Sequence, residues 1–333
     1  MNTQERDSGA LLDVRGLVAR LPIEGGGAVN AVNGMSFSMA QGESLALVGE
    51  SGSGKSMTAL SILGLLPGRG RVIAGEMRFK GRDLLALPAN ELRLVRGREI
   101  GIVFQDPATS LNPVLTIGRQ LTEGLREHFK MREPALRLRA MELLSLVGIP
   151  DASDRLASYP HEFSGGQRQR ILIAMAIACE PGLLIADEPT TALDATIQAQ
   201  IVDLLKDLQR RLGMAILWIT HDLALVAGLV DRVAVMYAGS IVEAALVRDL
   251  FKRPRHPYTL GLLRAMPRPN ARHDGGPGLV PIPGAPPDLR EEITGCPFAP
   301  RCPMAIERCR AERPPLLTVG PGHEAACLRS GDL

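Results

Sequence analysis

The fold of this 333-residue chain is decided by Gly49-Glu50-Ser51-Gly52-Ser53-Gly54-Lys55-Ser56. The stretch fits the pattern G-x-x-x-x-G-K-[ST] at every fixed position, between an apolar run at 45–48 and a helix-like run at 57–63. Glycines have no Cβ, so successive backbone N–H groups can turn toward phosphate oxygens, and the following helix adds its positive N-terminal end. We therefore expect a phosphate-binding loop. The residues expected to bind the nucleotide are Gly49, Ser51, Gly52, Ser53, Gly54, Lys55, Ser56 and Met57.

Composition argues against a nucleic-acid-binding, a secreted or a membrane-spanning protein. The net charge is +2 and no Lys/Arg run occurs, which gives no support to nucleic acid as the main partner. The first ten residues lack the apolar core of a secretory signal, and the longest apolar run, 171–179, is far shorter than the roughly eighteen residues that span a bilayer. We expect a soluble chain that serves a membrane only from its cytoplasmic face, through partners.

Strand and helix patterns alternate along most of the chain. Strands are predicted at residues 11–17, 28–38, 44–48, 100–104, 183–186 and 215–220, with a hairpin near 76–81. Helices are predicted at residues 116–129, 135–147, 164–179 and 195–212. This alternation predicts an α/β sheet that is covered on both faces. We place one domain at 1–244, with a helical insertion at about 106–160, and an extension at 245–333 that contains a Pro/Gly-rich linker at 266–288, followed by the cysteine segment.

Two carboxylates end the apolar strand at 183–186. Asp187 is suited to hold Mg²⁺, directly or through water, and Glu188 is suited to orient or polarise an attacking water. Asp followed by Glu is typical of a hydrolase more than of a kinase. The alternative, two surface carboxylates at a strand end, fits poorly with a wholly apolar strand.

A second anion-binding helix N-terminus is predicted at Ser164-Gly165-Gly166-Gln167-Arg168-Gln169-Arg170. A serine hydroxyl and two glycines before a helix leave backbone N–H groups open to a phosphate. One chain does not need two phosphate sites for one nucleotide. A head-to-tail dimer does, with this segment closing over the nucleotide that the partner's loop holds.

These stretches resemble the ATP-binding subunits of ABC transporters. The motifs occur in the family order: Walker A at 49–56, the Q-loop Gln105, the signature at 163–167, Walker B at 183–188, the D-loop Ala192-Leu193-Asp194 and the H-loop His221. The resemblance implies a P-loop NTPase fold of the ABC type, ATP hydrolysis, and Mg²⁺ held by Ser56, Gln105 and Asp187. It implies catalytic roles for Glu188, His221 and Gln105, the last also linking the site to membrane-spanning partners.

The same resemblance assigns the dimer contacts. Ser164 and Gly166 would touch the γ-phosphate of ATP bound mainly by the other subunit. Gly165 and Gln167 are also expected to bind that nucleotide, and Asp194 would lie at the dimer interface. Two positions depart from the family pattern. Phe163 stands where many members have Leu, and no aromatic residue lies near Leu21, where the family usually stacks one on adenine.

Further stretches resemble the oligopeptide/dipeptide-importer ATPases, a group that includes nickel-importer subunits. They are 106–113, 159–163, Arg255-His256-Pro257-Tyr258-Thr259, 295–298 and Arg301-Cys302-Pro303. The resemblance implies a subunit that powers peptide import with a second ATPase, a paralogue or another copy, two permease subunits and an extracytoplasmic binding protein. Alternatives are import of nickel or another small solute, a nucleic-acid ATPase, and a degenerate regulatory ATPase.

Four of the five cysteines lie in the last 38 residues: Cys296, Cys302, Cys309 and Cys327. Thiols stay reduced in the cytosol, which favours a metal site over disulfides. The spacing differs from paired C-x2-C zinc knuckles, and four thiolates can bind zinc or an iron–sulfur cluster. The family resemblance favours a [4Fe–4S] cluster, with zinc as the alternative.

Overall fold

The computed structural model describes residues 9–333 except 24, 192, 267–280 and 292. The chain divides into two compact units. The first unit contains residues 40–43 and 86–218, and the second contains 10–39, 44–85 and 219–333. Most of the predicted linker, 267–280, and the D-loop residue 192 lie outside the described residues.

The secondary structure alternates as expected. The strands are β1 Ala10–Pro22, β2 Ala28–Ala40, β3 Ser44–Val48, β4 Arg71–Phe79, β5 Arg82–Asp83, β6 Ile100–Val103, β7 Leu183–Asp187, β8 Ala215–Thr220, β9 Arg232–Tyr237, β10 Ser240–Leu246, β11 Leu317–Gly320 and β12 His323–Ala325. The α-helices are α1 Lys55–Ile62, α2 Ala89–Val95, α3 Pro107–Ser110, α4 Ile117–His128, α5 Glu133–Leu146, α6 Ala152–Arg155, α7 Gly165–Ala176, α8 Ala195–Leu212, α9 Leu223–Val226, α10 Val247–Lys252, α11 Pro257–Arg264 and α12 Glu307–Ala311. Short 3₁₀ turns lie at Pro160–Glu162, Ala299–Arg301 and Ser330–Asp332.

The first unit is built on β6 and β7, which run parallel with Ile100 opposite Leu183. β7 also neighbours β8, which starts in this unit. All five residues of β7 are buried, as a parallel strand covered on both faces requires. The described part of 106–160 contains helices and turns only, and α4, α5 and α7 pack together beside the strands.

The second unit contains two groups of strands. β2, β1, β4 and β5 lie side by side in that order, with β1 and β5 antiparallel to β4. β11, β12, β10, β9 and β3 form the other group, in which β3 is parallel to β9 and the remaining neighbours are antiparallel. The C-terminal hairpin β11–β12 therefore extends a sheet that also contains β3, the strand leading into the phosphate-binding loop.

Several predicted bounds differ from the structure. β1 continues to Pro22 because Gly16, at φ +57°, and a register shift between Arg15 and Val18 absorb an irregularity without ending the strand. α7 ends at Ala176, three residues early. Position 244, the predicted domain boundary, lies inside β10, and both sides of it belong to the second unit, so that boundary stays a prediction. Among the described residues, no helix combines the length and the apolar character needed to cross a bilayer.

Candidate active site

The phosphate-binding loop connects β3 to α1, and its shape depends on glycines. A Cβ on Gly49 would lie 2.2 Å from the carbonyl oxygen of Met236, and one on Gly54 would lie 2.1 Å from that of Ala31. Gly54 also has φ +102°, a conformation that residues with a side chain rarely adopt. The loop backbone is therefore packed directly against neighbouring backbone, which no other residue type permits.

Lys55 begins α1 and is only 5% exposed. Its Nζ donates to the carbonyl oxygens of Gly49 at 2.8 Å and Glu50 at 3.0 Å, so the charge is held inside the loop. Ser56 and Met57 follow in the first helical turn and are half-buried, and Gly54, the N-cap, contributes no side-chain acceptor. A cation at an uncapped helix N-terminus makes a site for a polyanion.

The remaining loop residues differ in exposure. Ser51 and Gly52 are exposed, whereas Ser53 is buried. Within the part of the chain that the structure describes, the Ser53 hydroxyl has no hydrogen-bond partner. The loop thus presents two exposed residues and one unpaired buried hydroxyl beside Lys55.

In the first unit, β7 ends at the buried Asp187, which is 7% exposed, and Glu188 follows at φ +48°. A positive φ at a residue with a long side chain is strained and is often found at functional sites. The Glu188 Oε2 accepts hydrogen bonds from the Gln105 side-chain amide at 3.1 Å and the Thr191 hydroxyl at 3.0 Å. The structure thus brings Gln105 and Glu188 together and fixes the direction of the carboxylate.

Sequence reasoning did not identify Thr191. Its signal was available, because a hydroxyl three residues after Glu188 can turn back to the carboxylate. Gln105 follows β6, and Glu188 follows the parallel neighbour β7, so their adjacency results from the sheet register.

The signature segment forms a capped helix N-terminus. The Ser164 Oγ accepts from the Gln167 backbone N–H at 3.3 Å, and the Gln167 Oε1 accepts from the Ser164 N–H at 3.0 Å, which is a capping box. The serine hydroxyl keeps its own proton for donation. A Cβ on Gly166 would lie 2.8 Å from the Ile197 Cγ2, so α8 packs closely here, whereas Gly165 has more room.

Three further predicted residues occupy loop or cap positions. Asp194 caps α8 by accepting the Ile197 N–H at 3.0 Å, and its side chain is exposed. His221 directly follows β8 and is exposed. Phe163 is 3% exposed, with the Arg155 guanidinium 5.6 Å from its ring centre, so the aromatic residue serves local packing and a cation–π contact.

The position expected to stack on adenine is aliphatic. Leu21 lies near the end of β1, and a Cβ on Gly70 would come within 2.5 Å of its Cδ2. Leu21 therefore packs against the turn that precedes β4, and it offers an apolar surface in place of an aromatic ring.

Cys296, Cys302, Cys309 and Cys327 line one small cavity, together with His256 and Phe298 among others. Burial raises the pKa of the Cys296 and Cys302 thiols, and raises that of Cys327 to about 11. Four thiols are a donor set that suits zinc or an iron–sulfur cluster. Within the described ranges, however, no three His, Cys, Asp or Glu side chains are arranged to hold a metal ion.

Comparisons with known proteins identify the family. The family model "ABC transporter" matches residues 32–191, and "Oligopeptide/dipeptide transporter, C-terminal region" matches 242–309. The probable peptide ABC transporter ATP-binding protein y4tR of Sinorhizobium fredii is 52% identical over 97% of this chain and 96% of its own length. The dipeptide transport ATP-binding protein DppD of Bacillus subtilis is 52% identical over 91% and 90%. The oligopeptide transport ATP-binding protein OppD of Escherichia coli is 49% identical over 98% and 95%.

Solved structures confirm the predicted P-loop fold. The dimeric, post-hydrolysis structure of the ATP-binding cassette MJ0796 with ADP and Pi has a TM-score of 0.63 and 28% identity, covering 71% of this chain and 99% of that one. The structure of cbiO1 from Clostridium perfringens, part of the transporter complex cbiONQ, has a TM-score of 0.62 and 28% identity, covering 74% and 93%. The chain is an ATPase that belongs to the family of ATP-binding subunits of oligopeptide/dipeptide ABC transporters.

Proposed function

We propose that this chain hydrolyses ATP to power the import of dipeptides or oligopeptides through a membrane transporter. The support is the match of 242–309 to the oligopeptide/dipeptide C-terminal region and the peptide-transport names of relatives about half identical to it. Import of nickel or another small solute by the same machinery is the alternative. A net charge of +2 without a Lys/Arg run gives no support to a nucleic-acid ATPase.

The nucleotide is bound by the phosphate-binding loop. Its backbone N–H groups and Lys55 take the phosphates, for which the buried cation at the start of α1 is the supporting observation. Ser56, Gln105 and Asp187 would hold Mg²⁺, and their hydroxyl, amide and carboxylate oxygens are the donors that this ion prefers. When bound, Mg²⁺ neutralises charge on the phosphates.

Glu188 is the residue that activates water. The single observation that supports this role is that Gln105 and Thr191 both donate hydrogen bonds to one carboxylate oxygen of Glu188, whose backbone has a strained positive φ. A carboxylate aimed in this way can orient water and accept its proton during attack on the γ-phosphate. His221 contacts the γ-phosphate, and Gln105, at the start of the helical segment, connects hydrolysis to the membrane subunits.

The signature residues act on the partner's nucleotide. The Ser164 hydroxyl and the N–H groups at Gly165 and Gly166 bind the γ-phosphate of ATP on a second ATPase subunit, with Gln167 beside them as the capping partner of Ser164 and Asp194 at the interface. That subunit is a paralogue or another copy. The assembly includes two permease subunits and an extracytoplasmic binding protein, and it places this chain on the cytoplasmic face of the membrane.

We also infer that the four cysteines hold a [4Fe–4S] cluster, with zinc as the alternative. The support is their common cavity. The role is structural, because the short tail has little core of its own. Anaerobic purification followed by iron, sulfide and zinc analysis tests this, and stoichiometric zinc without iron would exclude the cluster.

The experiment for transport compares whole-cell uptake of labelled dipeptides, oligopeptides and nickel. Glu188→Gln removes the base and should lower uptake about 100-fold or more. Glu180→Gln is the matched control, because Glu180 also has positive φ, at 53°, and its carboxylate pairs with Arg139.

We expect peptide uptake to be lost in Glu188→Gln and kept in Glu180→Gln. If Glu188→Gln abolishes only nickel uptake, nickel and not peptide is the transported solute. Unchanged uptake of every solute, with the protein assembled, would contradict the importer role.

A further inference from the structure

Arg255–Thr259 and Arg301 belong to two stretches that the sequence singled out, and neither has a role in the ATP site described so far. Inside the second unit, both reach the phosphate-binding loop and meet at one residue, Glu50. Glu50 occupies a variable position of the Walker A pattern, and sequence reasoning gave it no role.

The Glu50 carboxylate forms a bidentate ion pair with Arg301. The Arg301 Nη1 lies 2.7 Å from Oε2, and Nη2 lies 3.0 Å from Oε1. The Arg301 side chain is 4% exposed and that of Glu50 is 29% exposed. Paired, largely desolvated hydrogen bonds of this kind are among the strongest that side chains make.

Arg301 is itself fixed in place. Its Nε donates to the Pro283 carbonyl at 2.9 Å, and its Nη1 donates to the Tyr237 hydroxyl at 3.2 Å. The guanidinium also lies 5.8 Å and 5.9 Å from the ring centres of Tyr237 and Phe298. An arginine guanidinium is always charged in proteins. The guanidinium therefore presents a rigid fork to the loop.

Tyr258 holds the backbone of the same residue. Its hydroxyl accepts the Glu50 N–H at 2.9 Å, and burial raises its pKa above the usual range, so it stays protonated. Tyr258 is positioned by His256, whose Nδ1 accepts the Tyr258 N–H at 3.1 Å and caps α11. Burial lowers the pKa of His256 to about 3, which preserves this acceptor at neutral pH.

These contacts act on the atoms that meet ATP. Glu50 lies between Gly49 and Ser51, and its carbonyl oxygen accepts a hydrogen bond from the Lys55 Nζ. Pro286, Pro287 and Leu289 of the extension border a small pocket with loop residues 50–53. The extension therefore touches the loop through an ion pair, a backbone hydrogen bond and an apolar wall.

We propose that Arg301 is a positioning residue for ATP binding, which sets the phosphate-binding loop by holding Glu50. The C-terminal extension is then a part of the ATP site within its own chain. The inference rests on ATP binding by the loop and is independent of which solute is transported.

The test is ATP affinity, measured by titration of the full-length chain. Arg301→Ala should raise the Kd for ATP about 10-fold, a change of ~1.4 kcal/mol. Arg301→Lys should give a smaller rise, because it keeps the charge but loses the fork. Arg313→Ala is the matched control, a half-buried guanidinium of the same extension whose hydrogen bond goes to Ser240.

A double-mutant cycle shows whether the effect passes through Glu50. Glu50→Gln should weaken ATP binding by itself, and adding Arg301→Ala to it should cause little further loss. In the assembled transporter, KM for ATP should rise more than kcat falls, because the chemistry residues are untouched.

Thermal unfolding without ATP separates this role from general stability. If Arg301→Ala does not fold, Arg301→Lys and Glu50→Gln carry the test. An unchanged Kd in a folded Arg301 variant, an equal effect of Arg313→Ala, or additive effects of the two substitutions would overturn the proposal. Wild-type protein that fails to bind ATP would contradict the ATPase assignment instead.

Discussion

We propose that two helix N-termini in this protein bind phosphate, and their structures differ. α1 begins after Gly54, which is in a left-handed conformation and offers no capping side chain. α7 begins after Ser164, which caps the helix reciprocally with Gln167. The first depends on backbone packing at glycine, and the second depends on a side chain that is already hydrogen-bonded.

This difference suggests separate roles: the α1 end binds ATP, and the α7 end closes over ATP that the partner subunit holds. At α1, the buried Lys55 and the lack of a side-chain cap favour an external anion, so this end can bind ATP in a single chain. At α7, the cap already uses the Gln167 N–H, so this end offers a phosphate held elsewhere the Ser164 hydroxyl proton and the glycine N–H groups. The loop should therefore determine ATP affinity, and the signature should determine hydrolysis by the assembled dimer.

The largest expected effect tests the backbone packing of the loop. Gly54→Ala forces a Cβ to 2.1 Å from the Ala31 carbonyl, so the loop must distort and ATP affinity should fall at least about 100-fold. Gly52→Ala is the control, because that site is also at positive φ but has no atom within 4 Å of a Cβ. Its strain costs only ~1 kcal/mol, and ATP titration should show a small change. Equal losses in both variants would mean that φ, and not packing, controls the loop.

An intermediate effect is expected at the signature. Gly166→Ala brings a Cβ to 2.8 Å from Ile197, which shifts the start of α7 and should lower ATP hydrolysis about 10-fold, ~1.4 kcal/mol. ATP binding by the isolated chain should be unchanged. Gly165→Ala, whose Cβ would have an ordinary 3.8 Å contact with Leu193, should lower hydrolysis less. If Gly166→Ala weakens ATP binding by the isolated chain, the two helix ends do not have the separate roles in binding and hydrolysis that we propose.

The smallest expected change is in the free energy of unfolding, and it separates the role of Ser164 as a helix cap from its contact with phosphate. Ser164→Ala removes the acceptor for the Gln167 N–H and should lower the free energy of unfolding by about 1 kcal/mol. Ser164→Asp keeps an acceptor and should preserve stability, yet its charge repels phosphate, so both variants should lose hydrolysis. Chemical denaturation and ATPase assays check the two outcomes. A stable and active Ser164→Ala would show that the hydroxyl serves neither purpose.

Local patterns predicted several secondary-structure elements well. The bounds of β3, α8 and β8 agree with the structure, because a short apolar run, an amphipathic period and a terminal Gly213 are all local signals. The phosphate-binding loop was predicted for the same reason, because its pattern is local. Its glycines occupy positions whose backbone conformation or close packing almost no other residue permits.

The contacts around Glu50 could not be predicted. Glu50 and Arg301 are 251 positions apart, and neither has a local pattern that indicates the other. The strands β9 to β12 that bring the extension to the loop were not predicted either. The four cysteines were found by their number and spacing, but sequence does not show whether their sulfurs converge, since that depends on side-chain direction.

The most direct test of the division between binding and closure measures ATP retained by the assembled transporter after rapid desalting. Glu188→Gln should retain ATP, because the nucleotide is bound and closed over but not hydrolysed. Glu188→Gln combined with Ser164→Asp should bind ATP at equilibrium and yet retain none. Equal retention by both variants, or loss of equilibrium binding in the double variant, would contradict the account.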